Sequence, residues 1–172
     1  MQTIAVVGTK KAGKTTTIEI LIRELSKRGY AVAAIKHIPE PDFSVDTPGK
    51  DTWRYAHAGA RTIVSVAENE IATIEKICKK PSLMKLIRKC SGNDIVFIEG
   101  LKKTVQQNSK LPKIAVTKSK SEAEKTLKIY NPIIAFTGPY DTSELKWSIP
   151  YASAVADAKK LADIIERFTN KL

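Results

Sequence analysis

Residues 8 to 15, Gly-Thr-Lys-Lys-Ala-Gly-Lys-Thr, match the phosphate-binding loop pattern G-x-x-x-x-G-K-[ST] in full. The short apolar run Thr3–Val7 precedes the match, and a helical pattern over Thr15–Arg28 follows it. The helix would bury one face of apolar side chains at helical spacing: Ile18, Leu21, Ile22 and Leu25. Because strand, glycine loop and helix occur in the order that the motif requires, the sequence predicts a unit that binds the phosphates of a nucleoside triphosphate.

The residue types in this loop suit the chemistry of phosphate binding. Backbone N–H groups from Lys10 to Thr15 would surround a β-phosphate, and the N-terminus of the helix adds a favourable dipole. Lys14 would reach the β- and γ-phosphate oxygens, while the Thr15 hydroxyl would ligate Mg²⁺. The predicted nucleotide-binding residues of the loop are Gly8, Lys10, Lys11, Ala12, Gly13, Lys14, Thr15 and Thr16.

Length and composition favour a single domain. The 172 residues are 42% hydrophobic, which is enough for one nucleotide-binding domain over residues 1–172 with its own core. The chain starts directly in the first strand and has no long apolar stretch, so we expect a cytoplasmic protein that does not contact a membrane. Cys78 and Cys90 have no CxxC spacing and are expected to be reduced thiols.

The net charge of +11 is high for a chain of this size. Nucleic acid is disfavoured as a partner because aromatic residues make up only 6% of the chain and are not interleaved with the lysines. An acidic partner or a phosphorylated ligand would account for the charge. A solvated lysine-rich surface, concentrated over residues 110–128, accounts for it equally well.

Strands that alternate with helices predict an α/β fold of the P-loop NTPase type, with a mainly parallel sheet and helices on both faces. The predicted strands are Thr3–Val7, a fully buried Ala31–Ile35, Asp94–Ile98, Lys113–Thr117 and Pro132–Phe136. Alternating residues over Arg61–Ala67 and Glu70–Ile77 predict an inserted β-hairpin.

Further helices are predicted from capping and periodicity. One runs through Trp53 to Ala60, and a second begins at Pro81 and turns Leu83, Met84 and Ile87 inward. A capping box at Ser121 and Glu124 starts a third. The last helix would present one apolar face made of Ala154, Ala158, Leu161, Ile165 and Phe168.

Ligands of open α/β sheets bind at the carboxyl ends of the strands, where Glu99, Lys36 and His37 are expected. Glu99 follows a buried strand and is predicted to serve Mg²⁺, although aspartate is the usual residue there. His37 either contacts phosphate or is a solvated residue at the start of a loop.

The switch elements of regulatory GTPases are incomplete. Asp46-Thr-Pro-Gly49 has the DxxG form, but no buried strand precedes it. Thr117-Lys-Ser-Lys120 lacks the Asn-Lys-x-Asp residues that recognise guanine. The residues alone therefore do not reveal which nucleobase the protein prefers. They also do not identify a catalytic residue that would position water.

Several segments together resemble the molybdopterin-guanine dinucleotide biosynthesis protein B (MobB) family. In chain order they are Gly8–Thr16, Lys36–His37, Asp46–Asp51, Arg54, Ala58–Ala60 and Ile98–Lys102. The resemblance covers most of the first 102 residues, and the Pro-Gly-Lys-Asp and Glu-Gly-x-Lys parts are its most specific elements. Ile38–Pro41 departs from the family because many members have further histidines there.

The resemblance implies a GTP-binding protein that assists attachment of GMP to molybdopterin, beside a separate molybdenum cofactor guanylyltransferase. It also implies a homodimer, Mg²⁺ bound with GTP through Thr15 and Glu99, and weak GTPase activity at most. Lys36, Asp46, Lys50 and Asp51 would line the nucleotide or pterin side.

A competing hypothesis is a P-loop kinase of small molecules, or an ATP-dependent ligase of the dethiobiotin synthetase type. Such enzymes also place Glu-Gly after a buried strand, and Lys36, His37 and Lys102 would be candidates for their substrate groups. A regulatory switch GTPase is a third hypothesis, disfavoured by the missing Asn-Lys-x-Asp element.

Overall fold

The structure is a computed structural model that describes residues 1–145 and 147–169. Its elements in chain order are β1 Gln2–Val7, α1 Lys14–Lys27, β2 Val32–Lys36, α2 Asp51–His57, β3 Thr62–Val66, β4 Ile71–Glu75, α3 Leu83–Arg88, β5 Ile95–Glu99, α4 Lys102–Gln107, β6 Lys113–Val116, α5 Lys120–Ile129, β7 Ile133–Thr137, a 3-10 turn at Ser143–Leu145 and α6 Ala158–Thr169.

The chain divides into two compact units. The first contains Met1–His37 and the residues from Leu83 onward, and the second contains Ile38–Ser82. The expectation of one domain over 1–172 remains a prediction. No helix within the described residues is both long enough and apolar enough to cross a bilayer.

The first unit is built on a parallel five-stranded sheet with the order β2-β5-β1-β6-β7. All residues of β5 and β6 are buried, as expected for strands of a parallel sheet that is covered on both faces. The α/β fold predicted from the alternation of elements is confirmed.

Side chains that alternate along β1 enter two separate cores. Ile4 and Val6 pack into a core that includes Leu21 of α1 and Leu161 of α6. Ala5 and Val7 enter the other core, which receives residues of α4 and α5. Helices therefore cover both faces of the sheet, as predicted.

The second unit holds α2 and the antiparallel hairpin β3–β4. Thr62 pairs with Glu75 and Val66 with Ile71, and the Ala67 N–H donates to the Glu70 carbonyl at 2.8 Å to close the turn. The predicted β-hairpin insertion is therefore confirmed.

Two predictions about burial were wrong. The second strand was expected to be fully buried, but β2 lies at the edge of the sheet, with Ala34 exposed and Ile35 only half-buried. The helix that was predicted to begin at Pro81 and to turn Met84 inward is α3, which begins at Leu83. In this helix Met84 is 57% exposed, and Leu86 packs against the core in its place.

Two predicted helix starts also differ. α5 is capped by Ser119, whose hydroxyl accepts the Glu122 N–H, and not by Ser121. α6 begins at Ala158, so Ala154 lies outside the helix. Ala154 is nevertheless buried in the core, and its N–H donates to the Thr137 hydroxyl at 2.9 Å.

Candidate functional site

The phosphate loop connects the end of β1 to the start of α1 and depends on glycine at two positions. A Cβ on Gly8 would overlap the carbonyl oxygen of Val116 in the neighbouring strand β6. Gly13 has φ 97°, in the left-handed region, and forms the N-cap of α1. Because glycine has no side chain to cap the helix, the first N–H groups of α1 are available to an anion.

Lys14 is the first residue of α1 and folds back over the loop. Its Nζ donates to the Thr9 carbonyl at 2.6 Å. Burial lowers the pKa of Lys14, the Glu99 carboxylate opposes that shift, and the charges of Lys36 and Lys118 lower the pKa further. The side chain is thus a partly desolvated cation among other cations, an arrangement that favours an anionic ligand.

Thr15, Lys36 and Glu99 form one hydrogen-bonded cluster. The Thr15 hydroxyl lies 3.2 and 3.0 Å from the two carboxylate oxygens of Glu99. Lys36 Nζ lies 2.5 Å from Glu99 Oε1 and 3.4 Å from Thr15 Oγ1. The Glu99 side chain is only 11% exposed, whereas that of Lys36 is 52% exposed.

Strand pairing explains why Lys36 and Glu99 meet. They are register partners at the carboxyl ends of β2 and β5, which are parallel neighbours. The residue that follows β2 also holds the two ends together, because the His37 N–H donates to the Glu99 carbonyl at 2.9 Å. Gly100 has φ 94°, and a Cβ there would come within 2.7 Å of His37 Cβ.

A second carboxylate, missed by the sequence analysis, supports the phosphate loop. Glu122 Oε1 accepts a hydrogen bond from the Thr9 hydroxyl at 3.0 Å, and Oε2 accepts one from the Lys118 N–H at 2.9 Å. The Lys118 backbone bond is the main cause of a lowered pKa of Glu122, and the Thr9 hydroxyl also lowers it. The Ser119-x-x-Glu122 spacing was the available signal, since it places this carboxylate at the start of α5.

Two clefts open beside the loop. One, of about 340 Å³, is lined by residues 11–16 and Glu99. The other, of about 230 Å³, shares Ala12, Gly13 and Thr16 with the first. The rest of its wall is mainly apolar and includes Val116, Pro139, Ala154 and Val155. A polar cleft over helix N–H groups next to an apolar cleft suits a ligand with phosphates at one end and a flat ring at the other.

The other predicted site residues, Asp46, Lys50 and Asp51, belong to the second unit. Asp46 Oδ1 accepts hydrogen bonds from the Thr47 N–H at 2.9 Å and the Thr52 hydroxyl at 2.8 Å, while Oδ2 is buried without a hydrogen bond. Lys50 is the N-cap of α2, and Asp51 lies in its first turn. A role for these residues toward a nucleotide or pterin remains a prediction.

The phosphate loop, Lys36 and Glu99 lie together within the first unit, at the carboxyl edge of the sheet where ligands of open α/β sheets bind. Within the described residues, no cluster of three or more histidine, cysteine, aspartate or glutamate side chains could hold a metal by itself.

Comparison with known sequences gives a consistent result. Residues 3–138 match the family model described as molybdopterin guanine dinucleotide synthesis protein B, MobB. A Methanocaldococcus jannaschii relative is 32% identical over 124 residues, covering 72% of this chain and 50% of that protein. The molybdopterin-guanine dinucleotide biosynthesis adapter protein of Haemophilus influenzae is 34% identical over 101 residues, which cover 58% of this chain and 56% of that protein. The chain thus spans about half the length of these curated relatives.

Solved structures share the fold. Bacillus subtilis MobB matches with a TM-score of 0.72 at 21% identity, over 97% of each chain. A crystal structure of molybdopterin-guanine biosynthesis protein B matches with a TM-score of 0.71 at 22% identity, over 98% of this chain and 99% of the other. Because the family model spans well over half of the chain, the resemblance drawn from the sequence is confirmed, and the protein belongs to the MobB family.

Proposed function

We propose that this protein is a GTP-binding adapter that assists guanylylation of the molybdenum cofactor, the step that yields molybdopterin guanine dinucleotide. The observation that carries the proposal is the phosphate loop at the carboxyl edge of the sheet, with Thr15 and Glu99 in contact beside it. Membership of the MobB family, with a curated relative named as an adapter, supports the biosynthetic role.

The phosphates of GTP would lie over the loop. N–H groups of residues 10–16 would donate to the β- and γ-phosphates, assisted by the dipole of α1. Lys14 would exchange its bond with the Thr9 carbonyl for phosphate oxygens, which relieves the repulsion among the cations around it.

Mg²⁺ fits the pair formed by Thr15 and Glu99. A hydroxyl and a carboxylate are hard oxygen donors, and Mg²⁺ commonly takes one or two protein oxygens together with phosphates and water. When bound, the metal neutralises charge on the phosphates. Glu99 would hold its position because it is nearly buried at the end of β5.

The guanine ring would occupy the apolar cleft beside the loop, which shares residues with the phosphate cleft. Lys36 would face the γ-phosphate side. Asp46, Lys50 and Asp51 would contact the nucleotide or the pterin, as the family resemblance implies.

An adapter suits this arrangement better than a fast hydrolase. Efficient hydrolysis needs a group that orients the attacking water. In the part of the chain that the structure describes, the cluster's only carboxylate already bonds to Thr15 and Lys36. We therefore propose weak GTPase activity and a cytoplasmic homodimer that works with a separate guanylyltransferase. The net charge of +11 would attract that enzyme or molybdopterin.

The test is reconstitution. GTP turnover is measured for the protein alone, and then formation of molybdopterin guanine dinucleotide is measured with molybdopterin and a guanylyltransferase added. We expect turnover well below about 10 per second for the protein alone. We also expect the unsubstituted parent protein to accelerate dinucleotide formation, and the Lys14→Ala variant to accelerate it less. Rapid phosphoryl transfer to a small metabolite, with no effect on the transferase, would instead support a kinase or ligase.

A further inference from the structure

The ammonium group of Lys36 contacts both side chains that would bind Mg²⁺. Its Nζ lies 2.5 Å from Glu99 Oε1 and 3.4 Å from Thr15 Oγ1. Thr15 in turn donates to the same carboxylate. The positive charge of Lys36 therefore lies against the two oxygen donors that the proposed function assigns to the metal.

We propose that Lys36 is a built-in competitor of Mg²⁺. In the nucleotide-free protein its ammonium group neutralises Glu99, and Mg²⁺ that arrives with the nucleotide displaces it toward the terminal phosphate. The inference rests on the proposed function, because it assumes a triphosphate on the loop and a metal between Thr15 and Glu99.

The difference in exposure shows which partner can move. The Glu99 side chain is 11% exposed and sits at the end of the buried strand β5. The Lys36 side chain is 52% exposed and ends the edge strand β2, so its long flexible stem can swing without disturbing the sheet. Mg²⁺ can therefore take the place of the ammonium group while Glu99 stays in position.

Electrostatics gives the displaced ammonium group a destination. A carboxylate as little exposed as Glu99 needs a positive partner, which Lys36 supplies before metal arrives. Lys14 directly precedes Thr15 in the chain, and Lys36 Nζ lies 3.4 Å from Thr15 Oγ1, so the like charges of Lys14 and Lys36 belong to one small site and repel each other. A phosphate group between the two ammonium groups would remove that repulsion. Lys36 could then leave Glu99, because the phosphate would replace the carboxylate as its anionic partner.

The test measures the affinity for a fluorescent GTP analogue as Mg²⁺ is added. The quantity compared is the half-saturating Mg²⁺ concentration, at which the change in affinity caused by the metal is half complete. Lys36→Met removes the competitor, so this concentration should fall roughly fivefold or more, the lower end of the usual coupling between sites. Affinity in EDTA should also fall, because Glu99 then faces the phosphates without a counterion. Lys103→Met, on the exposed surface of α4, is the charge-matched control and should change neither quantity.

Lys36→Arg should act in the opposite direction. Arginine keeps the charge and can pair with a carboxylate through two hydrogen bonds, so it should hold Glu99 more tightly and raise the half-saturating Mg²⁺ concentration. This variant also keeps the test decisive if Lys36→Met folds poorly, since the carboxylate retains a partner.

The outcomes distinguish failure of the Lys36 competitor role from failure of the proposed function. An unchanged or higher half-saturating Mg²⁺ concentration in Lys36→Met, with nucleotide still bound, would overturn the competitor role alone. A lower concentration in Lys36→Arg would also overturn it. If the parent does not bind the GTP analogue, or if Lys14→Ala binds it as tightly as the parent does, the proposed function fails and this inference fails with it.

Discussion

Replacing Lys14 with alanine tests the assignment of the phosphate loop most directly. In the free protein Lys14 Nζ donates to the Thr9 carbonyl at 2.6 Å, and on binding it would leave that oxygen for the β- and γ-phosphates. The variant therefore loses contacts that the parent makes only with ligand. We expect it to bind GTP more weakly and to remain folded.

The magnitude follows from the bonds exchanged. Each hydrogen bond to a charged group contributes about 1.5–3 kcal/mol. The parent gains two such bonds to phosphate and gives up the one to Thr9, so the net loss in the variant is about 1.5–3 kcal/mol. That loss corresponds to roughly 10- to 150-fold weaker binding.

The pKa of Lys14 adds a dependence on pH. Its pKa in the folded protein is below the ordinary value of 10.5, mainly because of burial. As pH rises through that lowered pKa, the free parent loses the proton that phosphate binding requires, and its GTP affinity should fall. Since alanine carries no such proton, the ratio of the two affinities should shrink toward alkaline pH.

Equilibrium titration with a fluorescent GTP analogue measures these effects, and thermal unfolding provides the folding control. Lys27→Ala removes the same charge from the far end of α1, about 20 Å away, and should bind like the parent. The lowered pKa of Lys14 means that its charge opposes folding at neutral pH, so the melting temperature of Lys14→Ala should not fall. Equal affinities of Lys14→Ala and the parent would refute the phosphate-loop assignment.

Three further predictions concern the supports of the site. Gly100→Ala should lower the free energy of unfolding by about 1–3 kcal/mol in urea, because φ is 94° and the Cβ would meet His37; Gly49→Ala, with φ 85° but open space around it, should cost less. Leu161→Ala should cost about 2–5 kcal/mol in the same assay because it leaves a cavity under α6. The pKa of Glu122 lies below 4.5 in the folded protein, so its contribution is present above that value and lost as pH falls. Glu122→Gln should therefore melt lower than the parent at neutral pH, and the two melting temperatures should converge as pH falls through the lowered pKa of Glu122.

The sequence predicted the parts of the site that depend on local order. The motif of the phosphate loop is contained in β1, the glycines and α1, all of which lie within residues 2–27. The rule that ligands bind at strand ends correctly placed Lys36 and Glu99 on one edge. Their direct contact was not predicted, because it requires β2 and β5 to be neighbours, and hydrophobic periodicity carries no information on strand order.

The wrong predictions have related causes. Ala31–Ile35 has the composition of a central strand, yet β2 lies at an edge, which only the sheet order reveals. Ser119 and Ser121 each precede a glutamate at capping-box spacing, so the sequence offered two helix starts. The start at Ser119 brings Glu122 to the Thr9 hydroxyl of the phosphate loop, a long-range contact that no local pattern encodes.

The position of β1 in the sheet also has a consequence during translation. β1 is synthesised long before both of its neighbours in the sheet, since Gln2 pairs with Ile95 and Ala5 with Lys113. A nascent chain must therefore keep an apolar segment unpaired until β5 and β6 have left the ribosome, which slows folding and exposes the segment to aggregation. Gly8 finds its close neighbour Val116 only at that stage. The phosphate loop is thus completed only once β6 has been made, and chains that end before β6 lack the neighbour against which the loop packs.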